Sequence, residues 1–146
     1  MSVFSSMNIS ASGMTAQRLR TDIIAQNIAN VNTTRTKDGT PYVRKTVVFA
    51  EKGVSAFSNF YANAVGVSGT GVKVTQIVED TETAMKRVYD PSHPDADGEG
   101  YVTYPNVNSV TEMTNLIDAS RAYEANVTAF NATKAMAMKG LEVGKS

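Results

Sequence analysis

Apolar side chains recur every three and four residues along the last third of the chain. Counting alternately three and four from Met113 meets an apolar or aromatic residue at seven of nine positions. This 3.5-residue spacing is typical of a coiled-coil seam and predicts a long helix. Ser109 and Glu112 fit an S-x-x-E capping box at its start. The nine positions are Met113, Leu116, Ser120, Tyr123, Val127, Phe130, Lys134, Ala137 and Leu141.

The first third of the chain predicts a second helix with a less regular stripe. Its apolar positions are Phe4, Met7, Ala11 and Met14 in one row, then Leu19, Ile23, Ile24, Ile28 and Val31 in another. Arg18 and Thr21 stand where the first row should continue. Gly13 costs about 1 kcal/mol relative to alanine in a helix interior. Such a helix needs a packing partner, and the C-terminal helix is the obvious one.

The middle of the chain has a different pattern. All four prolines lie between residues 41 and 105, and β-branched and aromatic residues alternate with polar ones in three stretches. These stretches predict strands at 42–49, 71–78 and 84–90. The uncharged run Gly53 to Val72 contains four glycines, which is the composition of a loop.

The predicted fold class is therefore α+β, with N- and C-terminal helices paired as an antiparallel coiled coil around a small β-rich middle insert. The predicted divisions are an N-terminal helix in residues 1–36, a β-rich or irregular middle in 37–105, and a C-terminal helix in 106–146 that completes the coiled-coil domain.

Asparagines are concentrated where the N-terminal helix should end. Asn27 and Asn30 are three residues apart and share a helical face. A polar amide in a helix–helix seam fixes the register, because a mismatched pairing leaves the amide without a partner. Asn30 or Asn32 closing the helix in a left-handed conformation is an equally good interpretation. A third is that these residues are surface caps.

The charges balance overall but not along the chain. Fourteen basic and fourteen acidic residues give no net charge, so nothing attracts nucleic acid as a partner. Residues 1–52 carry a net charge of +4 and residues 53–104 carry −4. Attraction between the head of one copy and the tail of another is one interpretation, and a solvated surface is the simpler one. There is no cysteine, which excludes disulfides and thiolate chemistry.

Residues 90–100, "DPSHPDADGEG", form the acidic loop, the one stretch that resembles a metal site. As a calcium loop it lacks an aspartate at the first position, where His93 stands, and a glutamate at the twelfth, where Tyr104 stands. His93 is the only histidine, and no nucleophile elbow or phosphate-binding glycine loop precedes a helix. We therefore predict no catalytic residue, no metal site, no cofactor and no enzyme activity. A metal-dependent hydrolase using this loop is the remote alternative.

Two blocks of the sequence resemble a known family. "SGMTAQRLRTDIIAQNIANVNTTRT" (12–36) and "GYVTYPNVNSVTEMTNLIDASRAYEANVTAFNATKAM" (100–136) resemble the terminal motifs of the flagellar rod and hook axial proteins. The stretch "DPSHPDADGEGYVTYPNVNSVTEM" (90–113) and the short insert resemble the proximal rod members of that family. Another exported hook or rod minor component is the alternative within the family.

The resemblance implies a structural subunit, not an enzyme. Such proteins leave the cell through the flagellar type III export apparatus without a cleaved signal peptide. They assemble with copies of themselves and with other rod proteins into the shaft that crosses the periplasm and carries torque to the hook. The implied location is the basal body of the bacterial flagellum, with no direct insertion into the membrane.

In that setting the terminal helices carry the assembly contacts. The candidate interface residues are Met7, Met14, Ile24, Asn27, Ile28, Asn30, Asn32, Met113, Leu116, Ile117, Tyr123, Asn126, Val127 and Phe130.

Overall fold

Two long helices precede and follow a β-rich middle along the chain in the computed structural model, which describes residues 3–53 and 71–144. The predicted loop at 53–70 lies, apart from Gly53, outside the described residues. This arrangement confirms the α+β prediction. In chain order the elements are α1 (Val3–Ala29), β1 (Lys45–Glu51), β2 (Val72–Glu79), β3 (Lys86–Tyr89), β4 (Tyr101–Tyr104) and α2 (Ser109–Val143).

The described residues fall into two compact units, each assembled from distant parts of the chain. The first takes the described parts of Met1–Leu19, Val48–Gln76 and Ala119–Ser146. The second consists of Arg20–Val47 and Ile77–Asp118. Each unit contains residues from all three predicted divisions of the chain, which stay a prediction.

The two helices contact each other through small or polar residues and run in opposite directions. In the first unit Gly13 of α1 lies against Asn126 of α2. In the second unit the Asn27 amide donates to the Glu112 carboxylate, 2.9 Å away. The residue number rises along α1 while it falls along α2, so the helices are antiparallel. Small residues such as Ala16 and Ala119, both buried, allow the helices to approach closely.

The predicted seam of α2 is displaced by one residue over much of its length. Met113 and Tyr123 are 54% and 39% exposed, while Ala119 is fully buried beside the exposed Ser120. The inward row is Glu112, Leu116, Ala119, Ala122, Asn126, Phe130, Thr133 and Ala137. Three of these eight residues are alanines, including the fully buried Ala119, which suits a close approach to α1. The prediction that Met113 and Tyr123 fill the internal seam is therefore wrong.

On α1 the most buried large apolar residues belong to the second row of the predicted stripe. Ile23 and Ile24 are each 5% exposed, as their spacing predicted. Phe4, from the first row, is 77% exposed. Ser10 and Ala16 of α1 are also buried, at 9% and 4% exposure, and like the buried Ala119 of α2 they have small side chains.

Replacing Gly13 with alanine is expected to destabilise the chain by about 1–2 kcal/mol, because the helices are already in close contact there. A Cβ at this position would lie 2.5 Å from Oδ1 of Asn126. Nδ2 of Asn126 donates to the Ala122 carbonyl at 2.7 Å, which holds the amide in place. With Asn126→Ala as the background, the same replacement should stabilise the chain by about 0.5–1 kcal/mol through helix propensity. Chemical unfolding of the four proteins tests this, and the same sign in both backgrounds would contradict it.

The strands of the described residues form two two-stranded sheets, β1 with β2 and β3 with β4. The β3–β4 pair is antiparallel, with Lys86 opposite Tyr104 and Tyr89 opposite Tyr101. The three predicted strands are present with boundaries within three residues, whereas β4 was not predicted. Strand β4 has only four residues, between Gly100, at φ +81°, and the buried Pro105. Four residues are too few for an alternating pattern to predict a strand, so β4 depends on its pairing with β3.

Both helix ends near the middle of the chain differ from the sequence prediction. Asn108, not Ser109, caps α2: its Oδ1 accepts from the Val110 and Thr111 amides at 3.0 and 3.3 Å. The capping box is wrong because Glu112 is used inside the chain. Left-handed closure of α1 is also wrong, since no described residue other than glycine has a positive φ. Instead the Asn30 amide donates to the Gln26 carbonyl at 2.9 Å.

Candidate assembly interface

Asn27 lies at the centre of a buried polar junction in the second unit. Its side chain has no exposed surface. Nδ2 donates to the Lys45 carbonyl at 2.8 Å and to Oε2 of Glu112 at 2.9 Å. Oδ1 accepts from the Tyr42 hydroxyl and the Lys45 amide, each at 2.9 Å. An asparagine amide has two donor hydrogens and two acceptor positions, so all four are used within the chain.

Glu112 brings a negative charge into this junction and Arg44 neutralises it. Glu112 is 1% exposed, and its Oε1 lies 2.9 Å from Nε and 2.8 Å from Nη2 of Arg44. Nη1 of Arg44 also lies 3.5 Å from Asp80. A buried carboxylate is tolerated only where a cation and hydrogen bonds replace its water, and both oxygens of Glu112 have such partners. We call Asn27, Tyr42, Arg44, Asp80, Asn106 and Glu112 the polar junction.

Asn106 connects the junction to the loop that precedes α2. Its Oδ1 accepts from the Arg44 amide at 2.9 Å, and its Nδ2 donates to the Asp80 carbonyl at 2.7 Å. Hydrogen bonds from Thr83 lower the pKa of the Asp80 carboxyl, an effect larger than that of Arg44. Burial raises the pKa of the Tyr42 phenol, assisted by the negative charges of Glu79 and Glu112. Both shifts favour the protonation states that the junction needs at neutral pH.

The carboxylates of the acidic loop are used to hold its own turns. Asp97 accepts from the Tyr101 and Glu99 amides at 2.9 Å through Oδ1, and Arg87 donates to its Oδ2 at 2.6 Å. These contacts, led by the Tyr101 amide, lower the pKa of Asp97. Asp95 accepts from the Thr34 hydroxyl at 2.8 Å, which attaches the loop to the segment after α1. Among the described residues no group of three acidic or histidine side chains is placed to hold a metal ion.

The candidate interface residues divide into three classes by exposure. Ile24 and Asn27 are buried; Met7, Met14, Ile28, Asn30, Leu116, Asn126, Val127 and Phe130 are half-buried; Asn32, Met113, Ile117 and Tyr123 are exposed. The structure brings Asn27 into the polar junction and Asn126 against Gly13, both inside the chain. Their contact with another subunit stays a prediction, whereas the exposed members are available for one.

The start of α2 presents an apolar stripe on its outer face. Val110, Met113 and Ile117 are 74%, 54% and 53% exposed and are spaced three and four residues apart. That spacing places them in one row along the helix. A contiguous exposed apolar row is the usual mark of a protein–protein contact. Of the helices in the described residues, neither is long and apolar enough over its length to be a membrane span.

Sequence reasoning missed the roles of Arg44, Asn106 and Glu112. Arg44 lies in a segment read as a strand, and Glu112 was assigned to a helix cap. They are 68 residues apart, so no local pattern connects them. The one local hint in the sequence was that Glu112, a charged residue, lies directly before Met113, the first position of the predicted seam.

Comparison with known proteins identifies the family of this chain. Residues 7–37 match the family described as flagella basal body rod protein, and residues 99–143 match the C-terminal family of the flagellar basal body rod FlgEFG proteins. The flagellar basal-body rod protein FlgC of Bacillus subtilis (strain 168) is 50% identical over 151 aligned residues, which cover 99% of this chain and all of the relative. The chain belongs to the FlgC family of flagellar basal-body rod proteins.

Other members of the FlgC family are similar in sequence to this chain over nearly its whole length. The protein of Borreliella burgdorferi is 44% identical across 98% of both chains. That of Escherichia coli O157:H7 is 40% identical across 99% of this chain and all of the relative. The family-model matches cover most of α1 with the segment that follows it, and β4 with α2. The chain is thus a structural subunit of the flagellar basal-body rod.

Proposed function

We propose that this chain is built into the proximal part of the rod as an open helical polymer, together with other rod proteins. In that polymer the terminal helices supply the contacts between subunits, and the shaft so formed crosses the periplasm and carries torque to the hook. The exposed apolar row of Val110, Met113 and Ile117 is the observation that carries the proposal. It lies within one of the two segments that match the rod families.

An open polymer needs two different surfaces on each subunit. A heterologous contact joins one patch of a copy to a different patch of the next, so the chain of contacts does not close. The half-buried and exposed candidates on α1 and α2 offer such a pair, because they lie on separate helices. The buried candidates act differently: Ile24 and Asn27 hold each subunit's own helices together.

The location and the route of the chain are part of the same proposal. We expect it in the basal body, after export through the flagellar type III apparatus without a cleaved signal peptide. Membership of the FlgC family supports this route. The role is structural and not enzymatic, which agrees with the names of the relatives and with carboxylates that are hydrogen-bonded within the acidic loop.

Replacing Ile117 with aspartate is expected to abolish swimming and incorporation into the rod. Ile117 is 53% exposed, so the chain itself should still fold, whereas burying an unpaired carboxylate in a subunit contact costs several kcal/mol. The measurement is ring expansion in soft agar for a strain carrying only the variant, with a mass-spectrometric inventory of its purified hook–basal bodies.

The matched control is Ile77→Asp. Ile77 is 46% exposed on β2, in the middle of the chain, and should tolerate the same substitution. Normal swimming with Ile117→Asp, or equal loss with both variants, would count against assembly through the terminal helices. If the unmodified chain is missing from hook–basal bodies that contain other rod proteins, the rod role itself is wrong.

A further inference from the structure

His93, the only histidine of the chain, receives a hydrogen bond that only a neutral ring can accept. The backbone N–H of Asp95 donates to Nδ1 of His93 across 3.1 Å. A ring nitrogen that accepts a hydrogen bond carries no proton, so the proton of the neutral ring is on Nε2. A second proton would go to Nδ1 and would set two donors against each other. This bond therefore belongs to one protonation state of His93.

The acidic loop holds the backbone of His93 on both sides. The His93 amide donates to the Asp90 carbonyl at 3.3 Å, and the His93 carbonyl accepts from the Ala96 amide at 3.0 Å. The ring meets the Tyr104 ring of β4 edge-on, with 6.4 Å between the ring centroids. The ring can therefore turn about its own side-chain bonds while the backbone around it stays in place.

Two carboxylates of the acidic loop compete for the two states of the ring. Asp90 interacts electrostatically with His93, so its negative charge attracts a protonated ring. The amide of Asp95 instead requires the neutral ring. The charged and titratable groups on the elements that adjoin the ring are Asp90 and Asp95 in the loop, Arg35 in the segment after α1, and Lys86 and Tyr104, which are paired across β3 and β4.

Asp95 is also the residue that attaches the acidic loop to the segment after α1. Its Oδ2 accepts from the Thr34 hydroxyl at 2.8 Å, and its Oδ1 lies 3.6 Å from Nη1 of Arg35. Beside these contacts a cavity of about 300 Å³ lies between Thr34, Arg35, Gly39 and Pro41 on one side and loop residues 94–97 on the other. In the part of the chain that the structure describes, the hydrogen bond and the ion pair between the two segments both end on the Asp95 carboxylate.

We propose that proton uptake by His93 releases the acidic loop from the segment after α1, so that this attachment opens in mildly acidic surroundings. The protonated ring turns from the Asp95 amide towards the Asp90 carboxylate, and the amide turns to water. Turning the peptide between Pro94 and Asp95 redirects the Asp95 side chain, which loses both contacts of its carboxylate. Histidine ordinarily exchanges a proton between about pH 5 and pH 8. The inference goes beyond the rod function and does not depend on it.

The turns of the loop itself are not sensitive to the same proton. The Ser92 hydroxyl and amide donate to Asp90 at 2.6 and 3.1 Å, and these bonds lower the pKa of the Asp90 carboxyl. Backbone amides, led by that of Tyr101, lower the pKa of Asp97. Both carboxyls therefore keep their charge while a histidine takes up its proton. Mild acid thus detaches the loop without undoing its turns.

The amide resonance of Asp95 gives the first test, in proton–nitrogen correlation NMR of the full chain. Between about pH 7.5 and about pH 5.5, a range in which histidine titrates, the resonance should shift with the same midpoint as the ring protons of His93. Exchange of this amide with water, corrected for its intrinsic pH dependence, should become at least about tenfold faster in acid. An Asp95 amide that does not respond while the ring titrates would overturn the proposal.

His93→Asn is the matched control. An asparagine side chain accepts from the amide two residues further on, as the His93 ring does, but it does not titrate. The Asp95 amide should therefore be equally protected at both pH values. His93→Ala removes the acceptor and should give fast exchange at both. If His93→Asn loses protection in acid as much as the unmodified chain, the ring is not the group that responds and the proposal is wrong.

A distance measurement shows whether the loop itself moves. Since the chain has no cysteine, spin labels can be attached through Lys37→Cys in the segment after α1 and Gly98→Cys in the loop. Both positions are exposed, and a Cβ at Gly98 meets no atom within 4 Å. With His93 present, the distance distribution should gain a longer and broader component at about pH 5.5 that is absent at about pH 7.5. With His93→Asn it should stay narrow at both.

Identical distance distributions at the two pH values with His93 present would overturn release of the loop, even if the Asp95 amide responds. Both measurements use the isolated full chain, so their failure would leave the proposed rod function untouched.

Discussion

Replacing Arg44 with methionine is expected to lower the free energy of unfolding by about 3–5 kcal/mol, a large part of the stability of a domain this size. The substitution leaves the Glu112 carboxylate, 1% exposed, without its guanidinium partner at 2.8 Å. The side chain of Arg44 is itself only 21% exposed, so water would not readily take its place. Urea unfolding followed by circular dichroism measures the change.

Two comparisons make this result specific. Arg87→Met removes the ion pair of Arg87 with Asp97, whose side chains are 53% and 42% exposed. The loss of unfolding free energy should therefore stay below about 1 kcal/mol. Adding Glu112→Met to Arg44→Met removes the unpaired charge and should recover much of the lost stability. Equal stability of the Arg44→Met and Arg87→Met proteins would show that the junction does not depend on the buried charge.

Replacing Asn27 with alanine is expected to cost about 3 kcal/mol or more of unfolding free energy. The change removes four hydrogen bonds and leaves the Lys45 amide, the Lys45 carbonyl and the Tyr42 hydroxyl without the partner they have now. Each buried polar group left unpaired costs about 1–3 kcal/mol. The loss should appear as a lower denaturation midpoint with an unchanged dependence on urea.

Asn30→Ala is the matched control for this prediction. Asn30 lies three residues further along, and its amide bonds only to the carbonyl of Gln26 and to Thr33, near the surface. The cost there should be below about 1 kcal/mol, because water can replace these bonds. If the two alanine variants unfold at the same urea concentration, the fourfold bonding of Asn27 is not what holds the junction together.

The three asparagines near the end of α1 show how far sequence reasoning can reach. Their concentration marked a special place, and one interpretation was that an amide fixes the register of a seam. Asn27 does hydrogen-bond across the helix pair, but within the chain, where it connects α1 to the strand segment and to α2. Its role in fixing the register stays a prediction, and its partners were not predictable, since they lie 18 and 85 residues away.

The buried charge pair shows a different limit. Glu112 and Arg44 each have an ordinary local explanation, a helix cap and an alternating strand, and each explanation is incomplete. The capping role passed to Asn108, which is one residue earlier and whose short side chain reaches the first free amides. Glu112 was then available to turn inward, a choice that depends on Arg44 being near it in space.

Periodicity was enough to predict both helices, their antiparallel partnership and a β-rich middle, because apolar spacing and prolines act locally along the chain. The terminal motifs were enough to identify the family. The register of the helix pair, the inward row of α2, the short strand Tyr101–Tyr104 and the polar junction depended on contacts between distant residues. A one-residue change of inward row alters little in local propensity, so the close fit of Gly13 to Asn126 and the pairing of Glu112 with Arg44 select between the alternatives.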